Sequence, residues 1–527
     1  MRRVWLLAFT GYFLAIAGWA SALPVNGTYD EADHVIRAYA VASGQVYANG
    51  DAATIPASLV PDHVDCTWKR GNATSADCQD LITEDRLIRT QYTAARYSPI
   101  YYLPVGLPLL ASPNQTGIVL ARLMSALMCG LLLASAMAIA AWLRNRLLVA
   151  GLALAATPMV FNLAGAINPN GLEIAAGVSL WAALLALLRG DRVADRLSLG
   201  GDPVARRLIA LAAVSGALLL TVRQLGPVLL AISALACAAL ARPGRLKALL
   251  RRADTWWLAA PLLGCAALFA LVWTLSSRIA TPPAVSRPVT MTVSDALWGV
   301  WDLRIPFYEK QLIGQFSYGE TGLPVWFRAL WWAMVAALAV PIALGAGRRH
   351  LLVNIALFGG LLGLLVALEL HFLPHSGWFS HSRYVMPAGV GLLMIPAFAS
   401  LPGITGRIAG LVASRYPTAI GWFARFAAAL TGVLHVGALA LVASRFQAGP
   451  HRGVNPLAGA WQPIAGPILP LAATMLGVAV LGWLSWGLAV GAHGARGMLE
   501  DSPPGTLRLV REQSRCDAPS TGMATRS

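Results

Sequence analysis

Charge is scarce in this 527-residue chain: 12% of its residues are charged, against 57% hydrophobic. With a mean hydropathy of +0.62, that scarcity excludes an ordinary soluble protein and reads as an all-α polytopic membrane protein. Acidic residues number 24 against 40 basic ones, giving a net charge of +16, and lysine is nearly missing, occurring only at Lys69, Lys247 and Lys310. In a soluble protein that balance would suggest nucleic acid. Here the arginines fall in short clusters between apolar runs, the pattern of cytoplasmic loops, so no nucleic-acid partner is expected. The six cysteines are not accompanied by a second Cys or His pair at ligand spacing, which argues against zinc, and no metal site is expected. Cys129, Cys237 and Cys265 sit in apolar segments as small hydrophobes, and Cys516 lies in the tail. Cys66 and Cys78 share one polar loop, where an oxidising compartment would favour a disulfide closing a short hairpin. No internal repeat is visible, so an inverted-repeat transporter gains no support.

What is present divides the chain in order. Met1-Arg2-Arg3 precedes an apolar run from Val4 to Leu23, long enough to span a bilayer with its start held in the cytoplasm. Ala20-Ser21-Ala22 resembles a signal cleavage site, but the run exceeds a usual signal core, so residues 1–23 are expected to remain as a first membrane helix. Residues 24–115 form the longest polar stretch, and their alternating helix and turn signals predict a mixed extracytoplasmic loop element between the first and second helices. Asn26, Asn72 and Asn114 each begin an Asn-x-Thr triplet, which in a bacterium would be chance and not glycosylation sites. Apolar spans are expected across 116–276, beginning with Thr116–Trp142, Leu147–Ile167 and Leu172–Leu188. A break at Arg223-Gln224-Leu225-Gly226-Pro227 divides the run from Leu208 to Ala241 into two helices. Residues 277–323, with Arg278, Arg287, Trp298, Trp301, Arg304, Glu309, Lys310 and Glu320, read as a second outer loop, and 324–491 as further spans including Tyr384–Leu401. Arg196, Arg407 and Arg415 fall in cytoplasmic connections, and residues 492–527 read as a disordered cytoplasmic tail. The sum is about twelve helices with both termini cytoplasmic, a multi-pass protein of the plasma membrane.

The densest chemistry follows the first helix, in Asp30-Glu31-Ala32-Asp33-His34-Val35-Ile36-Arg37. Read as a helix capped by Asp30, the segment places Asp30, His34 and Arg37 on one face, a polar stripe at the membrane surface. The plainer alternative is a well-capped solvated helix with an Asp33–Arg37 pair. Glu173, Glu369, Arg122 and Arg223 lie close to or inside apolar segments, where an ionisable group must be paired or line a cavity. His435, alone in an apolar run, reads as a packing residue.

Five collinear segments carry a resemblance. They are Asp30 to Tyr39, Ala121-Arg122-Leu123, Thr157-Pro158-Met159 through Asn168-Pro169-Asn170-Gly171-Leu172, Gly314-Gln315-Phe316 through Leu323-Pro324-Val325-Trp326, and Ser382-Arg383-Tyr384-Val385-Met386-Pro387. Together they resemble the bacterial membrane-protein family called domain of unknown function 2142, which looks like a branch of the glycosyltransferase C superfamily. The resemblance implies many membrane helices, a catalytic carboxylate in the first outer loop, and a donor sugar carried on polyprenyl phosphate. Three positions depart from the family pattern: Gly27-Thr28-Tyr29 replaces a proline-rich lead, Ser382 stands for Gly before Arg-Tyr, and Asn170 replaces an acidic residue, which removes one candidate metal ligand or acid.

Such a transfer needs a base for the acceptor hydroxyl and cations for the departing phosphate. Asp30 or Glu31 is the candidate base, since partial desolvation at a membrane edge raises a carboxyl toward a useful range. Arg383 is the first choice for phosphate because its fork matches phosphate oxygens; the competing role is snorkelling to headgroups. His34, Arg37, Arg96 and His381 are secondary substrate-binding candidates. The partners implied are membrane lipid, a polyprenyl-phosphate sugar donor, and an envelope glycan or lipid acceptor; no cofactor is assigned. Two other classes stand beside this one: a transporter or flippase of lipid-linked envelope precursors, and a non-catalytic envelope protein that binds a partner through its outer loop.

Overall fold

The computed structural model describes residues 1–47, 51–69, 74–84, 86–193, 202–277, 291–344, 348–399, 407–450 and 453–490, with backbone alone at 69, 340–344, 407–417 and 490. The expectations placed on Asn72, Arg196, Arg278, Arg287, Cys516 and the tail fall outside the described residues, as do the side chains of Arg407 and Arg415.

Apolar runs of bilayer length become helices because a helix satisfies its own backbone where water is absent. Among the described residues, 8 helices are long and apolar enough to cross a membrane: Arg2–Ala22, Gln115–Leu143, Pro169–Arg189, Pro203–Val222, Thr255–Ser277, Arg348–Ser376, Thr418–Ala448 and Ile468–Ala489. Arg146–Ala155 and Pro158–Ala164 make up to 9 if taken as one span, bent by 64°. Shorter apolar helices occupy Pro99–Ala111, Gly226–Leu240, Val325–Ala339 and Met386–Phe398. The expected straight span Leu147–Ile167 is thus broken. Pro158 cannot donate into the preceding turn, and the Thr157 hydroxyl instead accepts from Val160 N at 3.3 Å to start the second helix. His435 Nε2 lies 2.7 Å from the Ala156 carbonyl at that break, with its ring stacked on Phe161. In the expected span Tyr384–Leu401, the described residues 384–399 form a series of short helical segments, with Pro387 and Pro396 inside them.

The first helix packs between the last, Ile468–Val490, and Gln115–Leu143. Pro169–Arg189 runs through the centre, its membrane window 94% buried. Arg189, Arg192 and Arg349 donate to carbonyls of Phe398, Trp142 and Ala239, so the basic helix ends gather at one end of the bundle.

The opposite end carries residues 24–115. Glu31–Ala42 packs on Pro99–Ala111, and a Cβ at Gly106 would collide with the Ala38 carbonyl, so only glycine allows that approach. Strands Ala52–Pro56 and Leu87–Gln91 pair antiparallel, Thr54 opposite Arg89. A disulfide joins Cys66 to Cys78 with Cα atoms 6.1 Å apart. Residues 293–322 cap the same end, where Ile305–Ile313 leads into a two-residue strand pair that turns at Ser317 to Glu320.

Candidate active site

Glu31 is fully buried and forms the staple of this end. Arg122, near the start of Gln115–Leu143, donates Nε to Glu31 Oε1 at 2.7 Å and Nη2 to Oε2 at 2.6 Å. Its remaining donors reach the carbonyls of Ala20 (3.1 Å), Leu23 (2.7 Å) and Pro24 (2.7 Å), where the first helix ends. Glu31 also accepts from the backbone N–H groups of Ile167 and Asn26, each at 3.1 Å. A carboxylate has about four acceptor positions, and here all are filled. Glu31, expected with Asp30 as a candidate base, is thus engaged on every acceptor position by the protein itself.

The expected cap is also different. Asp30 stands at the helix start with φ 59°, left-handed, and makes no capping bond. Asn26 supplies it, its Oδ1 accepting from Ala32 N at 3.2 Å while its own N–H goes to Glu31. Left-handed backbone, which Asp tolerates better than most residues, aims the Asp30 carboxylate outward. Its Oδ2 accepts from Arg383 Nη2 at 2.8 Å, with the Asp30 side chain 39% exposed and that of Arg383 1%.

Among the described residues, Arg383 Nε and Nη1 find no partner although both are buried. Its guanidinium lies 4.4 Å from the Tyr29 ring centre and 5.6 Å from that of Tyr384. A buried fork with unused donors is costly unless something else occupies them, which points to an anionic ligand.

The segment bearing Arg383 is held from below. Glu369, fully buried, accepts from Arg304 Nε at 2.5 Å, the Tyr308 hydroxyl at 2.8 Å and Phe379 N at 2.8 Å. Gln311 accepts from Ser382 N at 3.1 Å and donates to His381 Nδ1 at 2.7 Å. Pro169–Arg189 comes close alongside, since a Cβ on Gly177 would strike the Pro387 backbone. Burial, then the positive charges of Arg383, Arg304 and Arg223, hold the His381 imidazole well below its ordinary range.

The other expected residues separate. His34 is buried, 2.8 Å from the Tyr102 hydroxyl, and burial followed by the charges of Arg223 and Arg383 pushes it well below its usual value. Both histidines are therefore neutral near pH 7 and add no positive charge for phosphate. Arg37, fully buried, spends its donors on the carbonyls of Tyr97 (3.1 and 2.6 Å) and Val46 (2.9 Å). The stripe of His34 and Arg37 thus faces inward, and the Asp33–Arg37 pair does not form. Arg96 pairs bidentately with Asp51, at 3.0 and 2.7 Å, away from Arg383.

Two residues outside the expected set, Arg223 and Asn170, join the site. Arg223, at the end of Pro203–Val222, donates to Asn170 Oδ1 and lies 4.7 Å from the Tyr384 ring centre and 5.6 Å from that of Tyr97. Asn170 thus serves as the acceptor for a guanidinium. Asp33, half-buried, accepts from the Thr93 hydroxyl at 2.5 Å. Burial raises its carboxyl, the Thr93 bond opposes that, and neighbouring Asp30 raises it further. The signal for Arg223 was its cost inside an apolar run; nothing local pairs it with Tyr384. Among the described residues, no group of three His, Cys, Asp or Glu side chains is placed to hold a metal ion.

The family described as "Predicted membrane protein (DUF2142)" matches residues 13–392. No curated protein sequence matches the chain. Two solved structures of ArnT from Cupriavidus metallidurans are similar. The apo form is 13% identical with a TM-score of 0.40, covering 92% of this chain and 77% of that one. The form bound to undecaprenyl phosphate is 14% identical with a TM-score of 0.30, covering 94% and 78%. Likenesses this loose carry no argument about the reaction.

Proposed function

The chain belongs to the DUF2142 family of predicted membrane proteins, and from that premise we propose that it is an integral-membrane glycosyltransferase. In this reading it moves a sugar from a polyprenyl-phosphate donor to a glycan or lipid acceptor of the cell envelope. The observation that carries the reading is Arg383, buried, with two of its three nitrogens unpartnered, and held against the half-exposed Asp30. A guanidinium fork binds phosphate oxygens in pairs. Arg223, on the same Tyr384 ring, supplies a second positive charge for the departing phosphate. Around this pair, neutral His34 and His381 leave the arginines as the charge that an anion would meet.

The elements at 24–115 and 277–323 would then face the extracytoplasmic side and both termini the cytoplasm. Gly226–Leu240, Val325–Ala339 and Met386–Phe398 would complete about twelve crossings. A periplasm-active reporter fused after Gly50 tests the side; a cytoplasmic signal would sink that topology.

The test of function is transfer of labelled sugar, from a panel of polyprenyl-phosphate donors, by membranes containing the wild type or Arg383→Ala at matched expression. Transfer by the wild type that collapses in the variant supports the reading. Equal transfer in both removes Arg383 from the site.

A further inference from the structure

The end of the bundle that gathers the basic helix ends carries an open cleft of about 580 Å³. It is lined by the end of Gly226–Leu240, by the short helix Arg245–Arg251 and by Arg349 at the start of Arg348–Ser376. Four cations face it, Arg242, Lys247, Arg251 and Arg349, together with Leu246 and Leu250. Among the described residues no carboxylate lines it.

The short helix is fixed at both ends. Arg245, buried, donates to the Gly190 carbonyl at 3.2 Å, where the central helix Pro169–Arg189 stops. The carbonyls of Leu249 and Leu250 accept from the Thr255 hydroxyl and the Trp256 indole N–H, each at 2.7 Å. Helical spacing then sets two faces. Leu246 and Leu250 lie one turn apart, 41% and 48% exposed, and Lys247 and Arg251 repeat at the same interval beside them. Trp257, 85% exposed, follows at once, a ring of the kind that settles at headgroup level.

The carboxylates described at this end are engaged elsewhere or with one member of the group. Asp191 pairs with Arg242, Asp254 with Arg206 and Arg252, and Asp202 caps Pro203–Val222. Arg349 donates Nε to the Ala239 carbonyl. Lys247 and Arg251 form no ion pair among the described residues.

We propose that this cleft binds an anionic phospholipid of the adjoining leaflet, its phosphate held by Lys247, Arg251 and Arg349 and its acyl chains laid against Leu246 and Leu250. A free phosphate would leave the two leucines uncovered, and a neutral lipid would leave the cations without a counter-charge. An amphiphile with an anionic head satisfies both, and basic pockets between membrane helices suit such heads. The proposal does not depend on the reaction proposed above, and this end of the bundle meets a leaflet whichever side of the membrane it occupies.

The experiment titrates full-length protein in detergent micelles with phosphatidylglycerol or phosphatidylcholine. Native mass spectrometry counts bound lipid, and scanning fluorimetry reads the thermal midpoint. The wild type is expected to retain phosphatidylglycerol in preference to phosphatidylcholine and to gain thermal midpoint from it. Lys247→Gln with Arg251→Gln should bind phosphatidylglycerol at least about tenfold more weakly, with the lipid-free midpoint unchanged. If that pair fails to fold, Lys247→Gln alone, a change at an exposed side chain, decides. Lys247→Arg with Arg251→Lys keeps the charge and should keep the binding. Arg144→Gln with Arg207→Gln removes the same charge from exposed positions outside the cleft and should leave binding as it is. Excess glycerol 3-phosphate carries the anion without the chains and should not displace the lipid. Wild-type binding in the Lys247 and Arg251 glutamine variants overturns the proposal. Equal weakening in the Arg144 and Arg207 variant overturns it too, since the lipid would then answer to the basic end as a whole. Displacement by glycerol 3-phosphate would give the cleft to a soluble anion instead.

Discussion

Glu31 and Arg122 are 91 residues apart in sequence and joined by two parallel hydrogen bonds with both side chains out of solvent. Because Arg122 also binds the last carbonyls of the first helix, this pair ties the membrane bundle to the loop element. Breaking one side of such a pair leaves an uncompensated buried charge, which costs about 3–5 kcal/mol. Arg122→Leu is therefore expected to lower the thermal midpoint strongly, while the double change with Glu31→Leu costs less than the sum of the singles. Wild-type stability in Arg122→Leu, read by scanning fluorimetry, would remove the staple. Any lost activity in Glu31→Gln should track lost folded protein.

Arg383 separates charge from shape. Replacement by Lys keeps the positive charge but not the fork, so polyprenyl-phosphate binding should fall in the order wild type, Arg383→Lys, Arg383→Ala. A charge-assisted bond is worth about 1.5–3 kcal/mol, so the alanine variant should bind at least about tenfold more weakly by fluorescence anisotropy. A lysine variant indistinguishable from the wild type would mean that the fork is not used.

The loop closed by Cys66 and Cys78 is held by two neighbours, Arg445 and Tyr318. Arg445 donates to the carbonyls of Thr67 at 2.6 Å and Thr74 at 2.9 Å, and Trp68 stacks on Tyr318 with centroids 4.3 Å apart. A crosslink of this loop size contributes about 3 kcal/mol by constraining the unfolded chain. Cys66→Ser with Cys78→Ser should lower the thermal midpoint, and hydrogen exchange should rise at 66–78 and 315–322 before the membrane helices respond. Uniform exchange across the chain would show that the loop and hairpin are not coupled in this way.

Much of the fold is legible because it is compositional or local. Val4 to Leu23 announces the first helix, and Arg223-Gln224-Leu225-Gly226-Pro227 marks the turn after Pro203–Val222. The site is less legible, because what fixes it is tertiary. Asp30 meets Arg383 across 353 residues of sequence, and that attraction, with left-handed backbone, takes Asp30 out of the capping role its position suggests and gives it to Asn26. Helical spacing says that His34 and Arg37 share a face, but not that the face turns inward, because burial depends on Pro99–Ala111 packing over it. Arg223 is visible as an expensive residue, while its partners Asn170, Tyr97 and Tyr384 come from three other segments.

His381 gives the site a pH signature whose sign follows from its surroundings. Burial, then Arg383, Arg304 and Arg223, hold its folded-state value well below the ordinary 6.5. The unfolded chain therefore binds a proton at His381 more readily than the native one. The stability tied to this residue is complete above pH 6.5 and is lost as pH falls from there toward the depressed folded-state value. Between pH 7.5 and 5.5 the wild-type thermal midpoint should drop more than that of His381→Asn, which keeps a polar partner for Gln311 but has no proton to gain. Parallel curves for the two proteins would show that protonation of His381 is not coupled to folding, and that the arginines around it are screened by water.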